Sequence, residues 1–290
     1  MVMIMKKNHL DPEQLIDDFT CYLKRKNLAQ NTISAYTYGI GLFFKNFFEL
    51  TPENLHTFRE FLIIRYLPAS ANQRIHSVNH FLLFLETVYP DYFPDVSHFR
   101  LTTIKLPRNS FQDSVISNKD CKKLQRKLQK EGQEFWYFVV RFLVTTGVRV
   151  SELTQIKVEH LSCGYLDLYS KGGKNRRIYI TDSLCAEAMD WCKKCGQESG
   201  FIFISRRGIP VTARGIQCRL KQFARQYGID PNTVYPHSFR HRFAKNFLRR
   251  CGDIALLADL MGHESIETTR IYLTRSSKEQ QNLLDEIVTW

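Results

Sequence analysis

Pro236-His237-Ser238-Phe239-Arg240-His241, then Met261-Gly262-His263, then Tyr272 form the stretch around which the rest of the chain is organised. The first cluster reads as the start of a helix over His237 to Arg250. Its Pro stands where the first-turn N–H has no partner in any case. His237 and Arg240 are three residues apart, so they share one face of that helix, close to its N-terminus, where amides favour an anion. Further helices are expected over Asp253 to Met261 and Ile266 to Leu273. Thr146-Gly147-Val148-Arg149-Val150-Ser151-Glu152-Leu153, far upstream, reads as the other half of the same site.

Between Arg214 and Arg250 the chain carries Arg214, Arg219, Lys221, Arg225, Arg240, Arg242, Lys245, Arg249 and Arg250 against the single acid Asp230. Phe223, Tyr227, Tyr235, Phe239, Phe243 and Phe247 are interleaved with them. A solvated helix mixes both signs; a phosphate-facing surface over an aromatic core explains this stretch better. The whole chain agrees, with a formal net charge of +12 over 290 residues, an excess that points to a polyanion partner. That length suits two domains, and 43% apolar residues supply their cores.

Eight cysteines are scattered along the chain and read as reduced thiols. Cys192 and Cys195 have the spacing of half a zinc site, and no second pair follows. His237-x-x-x-His241 also has a metal-like spacing but lacks the Glu of His-Glu-x-x-His and a third ligand, so no metal and no cofactor are expected. No signal-peptide run is present, and the most apolar stretch, Phe135 to Val144, is broken by Arg141. The expectation is a cytoplasmic protein with no membrane partner.

The first hundred residues show only helical periodicity. Asp11-Pro12-Glu13-Gln14 starts one helix, with Leu15, Phe19 and Leu23 on one face. Asn31-Thr32 opens a second, Thr51-Pro52-Glu53 a third, and Ser70 caps a fourth. Short polar residues face outward on the second (Asn31, Thr32, Ser34, Thr37) and the fourth (Asn72, Gln73, Arg74, Ser77, Asn79). Such faces suit groove and phosphate contacts, and equally a merely solvated surface. Tyr89 to Asp113, with Pro90, Pro94 and Pro107, reads as an interdomain linker.

A second domain begins near Val115, with Ser117-Asn118-Lys119-Asp120 as its first capping box. Glu134 to Thr146 is apolar on most sides and should be buried, with Gly147 ending it. The period then changes to two. Tyr165 to Tyr169 and Arg177 to Ile180 read as strands around the turn Lys171-Gly172-Gly173-Lys174-Asn175. Helices return at Asp182 to Lys194 and at Arg214 to Tyr227, the latter capped by Thr212. Phe201 to Ser205 is a further candidate strand. The fold class is mainly α, with a small antiparallel β-sheet in the second domain.

Taken alone, each site residue has an ordinary reading. Arg149 could be a helix-end charge, or could pair with Glu152 on the surface, as well as a planar donor fork for a phosphate oxygen. Tyr272 could be a core residue. Together, two arginines, two histidines and a tyrosine are the set that a metal-free phosphodiester exchange needs.

This set resembles the tyrosine recombinase, or phage integrase, family, and the resemblance covers most of the chain. Arg149 with Glu152-Leu153 matches the family's first motif, His237 to Arg240 its His-x-x-Arg, Gly262-His263 its Gly-His, and Tyr272 its nucleophile. Lys171 falls on the family's hairpin lysine, with Lys174 as a competing candidate. The resemblance implies a four-helix core-binding (SAM-like) domain over 1–106, a linker over 107–114, and a catalytic domain over 115–290 with an exchange tail over 276–290. That tail would dock on a neighbouring protomer or fold back on its own domain.

The implied activity is site-specific strand exchange on double-stranded DNA, through a 3′-phosphotyrosine and a Holliday junction, by a homotetramer on two DNA sites, without ATP. An accessory or directionality protein is a further implied partner. Arg149, Arg240 and His263 would hold the phosphate, Lys171 would protonate the leaving oxygen, and His237 would be base or hydrogen-bond donor. Asn31, Thr32, Arg74, Lys174, Arg176, Arg214 and Arg242 are candidates for contacts to DNA. The chain as given opens directly on the core-binding helices, which favours an Xer or mobile-element type. A type IB topoisomerase-like enzyme and a catalytically inactive DNA-binding protein are the alternatives.

Overall fold

The computed structural model describes residues 11–105, 115–169, 175–205, 207–263, 265–273, 284–285 and 287–288. The chain divides into two compact units, Met1–Arg108 and Asn109–Trp290.

Among the described residues, unit 1 is a bundle of four α-helices, α1 (Pro12–Arg25), α2 (Gln30–Asn46), α3 (Pro52–Arg65) and α4 (Pro68–Val88), followed by a 3₁₀ turn (Val96–Phe99). Their starts follow local chemistry. The Asp11 carboxylate accepts from the Glu13 amide, and the Thr51 hydroxyl from the Asn54 amide. Three of the four helices have Pro in the first turn. α4 therefore begins at Pro68 rather than at Ser70: a proline's fixed φ sets the first helical residue without any side-chain cap. The core is aromatic. Phe19 meets Phe81 edge-on at 5.2 Å between ring centres, and Phe43 meets Phe58 in the same way at 5.2 Å.

The stretch after α4 is not a free linker throughout. Phe93 and Val96 are buried in the unit 1 core. Residues 101–105 lie along α4, held by two asparagines two helical turns apart. Asn79 accepts the Leu101 amide at 2.8 Å and donates to the Leu101 carbonyl at 2.9 Å. Asn72 does the same for Ile104, at 2.7 and 2.8 Å. Both were read as outward-facing. Ser77, read in the same way, is fully buried and donates to the Gln73 carbonyl at 3.0 Å. Residues 106–114, which include the expected linker 107–114, lie outside the described residues.

Unit 2 opens with α5 (Asn118–Lys130) and α6 (Glu134–Thr146). The Ser117 hydroxyl caps α5 by accepting the Asp120 amide at 3.0 Å. α6 runs through the core; Phe138 stacks on Trp191 at 4.6 Å and Phe142 meets Phe203 edge-on at 5.6 Å. Gly147 ends it with φ +63°. Two short helices, α7 (Val150–Leu153) and α8 (Val158–Cys163), lead to an antiparallel pair, β1 (Tyr165–Tyr169) and β2 (Asn175–Tyr179), with Tyr165 opposite Tyr179. The second strand starts two residues before the expected Arg177, because its register continues to pair with β1 through Tyr169.

α9 (Asp182–Lys194) and α10 (Ala213–Gln226) follow, the latter capped by Thr212 accepting from the Gly215 amide. Among the described residues, Phe201 to Ser205 makes isolated bridges, Lys157 to Phe201 and Ile204 to Pro210, rather than a strand. α11 (Pro236–Cys251), α12 (Ile254–Met261), α13 (Ile266–Arg270) and a 3₁₀ turn (Ile271–Leu273) come next. α11 anchors the start of unit 2 with residues one turn apart: the Ile116 amide donates to Ser238 Oγ at 2.7 Å, and Arg242 Nε donates to the Ile116 carbonyl at 2.6 Å. Among the described residues no helix is long and apolar enough to cross a membrane.

Candidate active site

The site gathers where the ends of α6 and α12 meet the first turns of α11. Gly147 is at one corner. Its carbonyl accepts from Arg240 Nη1 at 2.7 Å, and a Cβ on it would stand 2.4 Å from the Phe243 ring. Gly262, with φ +60°, is at another; a Cβ there would stand 2.2 Å from Arg176 Cδ. Both corners demand a residue without a side chain, in backbone and in space.

Arg240 is 3% exposed and is held through both terminal nitrogens of its guanidinium. Besides Gly147 it donates to the Met261 carbonyl at 2.5 Å, and its Nη2 lies 3.2 Å from His263 Nε2. Burial, with the nearby Arg149 and Arg176 charges, pushes its pKa down to about 9, so it stays charged at neutral pH.

Arg149 caps α7. Its own amide donates to Glu152 Oε2 at 2.7 Å, its Nη1 to Glu152 Oε1 at 2.8 Å, and its Nη2 to the Gly262 carbonyl at 3.2 Å. The pairing with Glu152 expected on the surface is therefore real but not superficial. The Glu152 side chain is 9% exposed, and Arg176 from β2 closes on the same carboxylate oxygen. Burial works to raise the Glu152 carboxyl; the Arg176 charge and the Arg149 amide and guanidinium override it, leaving its pKa below the ordinary value. Arg176 also donates to the Leu260 carbonyl at 3.0 Å. The carboxylate thus spaces two guanidiniums and ties them to the end of α12.

His263 Nδ1 lies 2.7 Å from Thr269 Oγ1. Burial, and then the Arg240, Arg149 and Arg176 charges, lower its pKa to about 4, so the ring is neutral at neutral pH. Arg240 can only donate, so Nε2 accepts; the ring proton then sits on Nδ1 and points to Thr269. Tyr272, on the 3₁₀ turn, lies nearly parallel to the His263 ring at 6.5 Å between centres. Its hydroxyl is 2.8 Å from His241 Nδ1. Burial raises the phenol's pKa, although Arg240 and Arg149 pull the other way. His237 is exposed at the mouth of the site, its ring centre 6.2 Å from that of His241. Partial desolvation of the ring by its neighbours, and then the charges of Arg240 and Arg149, lower its pKa.

Arg149, His237, Arg240, His263 and Tyr272 are thus brought together from segments far apart in sequence. Lys171 and Lys174 lie outside the described residues. Of the candidates for DNA contact, Asn31 and Arg214 are exposed. Thr32 is half-buried in the first turn of α2. Arg74 packs over the rings of Tyr66 and Tyr38, at 4.0 and 5.6 Å. Arg176 and Arg242 are turned inward onto Glu152 and Ile116.

Sequence reasoning placed the Arg149–Glu152 pair on the surface, and it missed Arg176 and Thr269 as supports and His241 as the partner of Tyr272. The one signal was position. His241 follows Arg240 directly, and Thr269 is three residues before Tyr272. Among the described residues no three His, Cys, Asp or Glu side chains gather into a metal-binding group.

Residues 114–279 match the phage integrase family. The chain is 28% identical over 289 residues to the tyrosine recombinase XerA of Pyrococcus furiosus, covering 95% of this chain and 96% of that one. Its fold is similar to that of a lambda integrase fragment crystallised as a dimer bound to a COC′ core site. There the TM-score is 0.74 at 17% identity, with 92% of this chain and 96% of that one covered. It is also similar to the XerH site-specific recombinase bound to a palindromic difH substrate. That TM-score is 0.72 at 17% identity, with 96% and 84% covered. These two likenesses speak for the fold alone. The family match spans more than half of the chain and includes Arg149, His237, Arg240, His263 and Tyr272. The chain belongs to the phage integrase family, as a tyrosine recombinase of Xer-like type.

Proposed function

We propose that the protein cuts and rejoins double-stranded DNA at specific sites, with Tyr272 as the nucleophile. The observation that carries this reading is the convergence of Arg149, Arg240 and His263 on the ground beside the Tyr272 ring. Tyr272 attacks the scissile phosphate and forms a 3′-phosphotyrosine. Arg149 and Arg240 meet the non-bridging oxygens, where negative charge builds in the transition state. The phosphate's charge draws a second proton to His263, turning Nε2 from acceptor to donor. Lys171 protonates the departing 5′-oxygen, and His237 stands at the mouth of the site as base or hydrogen-bond donor.

The ester conserves the bond energy, so rejoining needs no ATP. Four protomers on two DNA sites exchange strands through a Holliday junction. Unit 1 is the core-binding domain and unit 2 the catalytic domain, on cytoplasmic DNA.

The test is covalent trapping. Nicked duplexes tiling the DNA that flanks the protein's own gene are mixed with the full chain, denatured, and searched for protein–DNA adducts. An adduct with the native chain that is absent with Tyr272→Phe is the expected result. Salt-sensitive binding with no adduct on any duplex would leave a DNA-binding protein and overturn the enzymatic reading.

A further inference from the structure

We infer that His241 is the proton acceptor for the Tyr272 hydroxyl in the attack on phosphate. This rests on the recombinase reading above and, of the two roles open to His237 there, gives that of base to His241 instead.

The geometry comes first. His241 Nδ1 stands 2.8 Å from Tyr272 Oη, within the reach required of a general base, and the two rings lie 5.4 Å apart between centres. The other imidazoles are placed differently. His263 uses Nδ1 on Thr269 and Nε2 on Arg240. His237 is exposed, and its ring centre lies 6.2 Å from that of His241, whose own ring is 5.4 Å from the phenol. Among the described residues, His241 is the imidazole whose nitrogen meets the nucleophile.

The direction of the bond follows from acidity. A phenol is a stronger donor than a neutral imidazole N–H, and an imidazole nitrogen a stronger acceptor than a phenol oxygen, so Oη donates to Nδ1. Burial, and then the charges of His237, Arg240 and Lys245 on its own helix, lower the His241 pKa to about 4; His263 and Tyr272 face it from the other side. Without substrate, therefore, the proton stays on Tyr272 and the nucleophile is quiet. A phosphodiester seated on Arg149 and Arg240 brings negative charge into that cationic field and makes His241 a better acceptor.

The step balances. The Tyr272 proton passes to His241 Nδ1, the Oη–P bond forms, the P–O5′ bond breaks, and the 5′-oxygen takes a proton from the general acid. Rejoining reverses each of these, and the departing phenolate recovers its proton from His241.

The experiment measures single-turnover adduct formation by the full chain on the trapping duplexes. His241→Asn keeps an acceptor near the phenol but cannot hold the proton. Its rate should fall by about 10²–10⁴-fold while DNA affinity is unchanged. Imidazole in solution should restore part of the rate to His241→Gly and none to His237→Gly. An adduct rate for His241→Asn within about threefold of the native chain, or no rescue by imidazole, would overturn the inference.

A second readout needs neither a variant of His241 nor DNA. In the ¹⁵N-histidine spectrum of the free protein, Tyr272→Phe should move the His241 Nδ1 resonance; an unmoved resonance also overturns it. A native chain that forms no adduct on any duplex sinks the recombinase reading and this step with it. A native chain that reacts while His241→Asn keeps pace sinks the step alone.

Discussion

In unit 1 the half-buried amides of Asn72 and Asn79 each answer one stretch of backbone, giving and receiving a hydrogen bond at 2.7 to 2.9 Å. In unit 2 the buried carboxylate of Glu152 answers two guanidiniums, and Arg240 answers two carbonyls and an imidazole. The first arrangement is neutral and self-contained. The second takes charge out of water, where each ion loses several kcal/mol of hydration, and only close partners offset the loss. The difference separates polar groups that hold a fold from charged groups that hold a site ready for an anion. A bound phosphate would complete the charge balance that unit 2 leaves positive.

That contrast can be broken most sharply at Glu152. Glu152→Ala leaves Arg149 and Arg176 facing each other without their counterion and should destabilise unit 2 by about 3–5 kcal/mol. Trp136, Trp191 and Trp290 all belong to unit 2, so tryptophan fluorescence in urea reports it separately. The pH dependence has a definite sign. The folded-state pKa of Glu152 is depressed, so its contribution is complete above the ordinary carboxylate range and fades as pH falls through the lowered value. The gap between native and variant urea midpoints should therefore shrink in acid; a gap independent of pH would show that Glu152 is not ionised against its arginines.

Gly262→Ala is expected to do less to stability and as much to chemistry. Holding a non-glycine residue at φ +60° costs about 1–3 kcal/mol, and the new Cβ would displace Arg176. Adduct formation should fall while DNA binding persists. A variant with native adduct rates would mean that Arg176 and Glu152 can shift without disturbing Arg149. The smallest effect belongs to unit 1. Asn79→Ala removes both hydrogen bonds to Leu101 and should cost about 1–3 kcal/mol. Helical circular dichroism should show the loss while tryptophan fluorescence does not, and the Leu101 amide should exchange faster. Equal loss in both signals would show that the two units unfold together.

Most helices were legible because their signals are local. Asp11, Thr51, Ser117, Thr212 and Asp253 cap the helices that follow them, and α9 spans the expected Asp182–Lys194. α4 was misjudged at its start because Pro68 needs no capping side chain. The asparagine clamps escaped notice because Asn72 and Asn79 look solvated until residues 101–105 arrive beside them. The candidate site residues were read from their motifs; of their supports only Glu152 was, as a surface partner of Arg149. Arg176 meets Glu152 across 24 positions and His241 meets Tyr272 across 31, and no periodicity encodes such pairs.

Gly147 has a consequence for how this chain can vary. Its left-handed backbone ends α6, its carbonyl takes Arg240, and its bare Cα lets the Phe243 ring lie against it. Every replacement of this glycine by another amino acid adds a Cβ, and with it both the backbone penalty and the collision. A smaller side chain at position 243 would remove the collision and leave the backbone penalty in place. The seat of Arg240 is thereby guarded by backbone conformation as well as by packing.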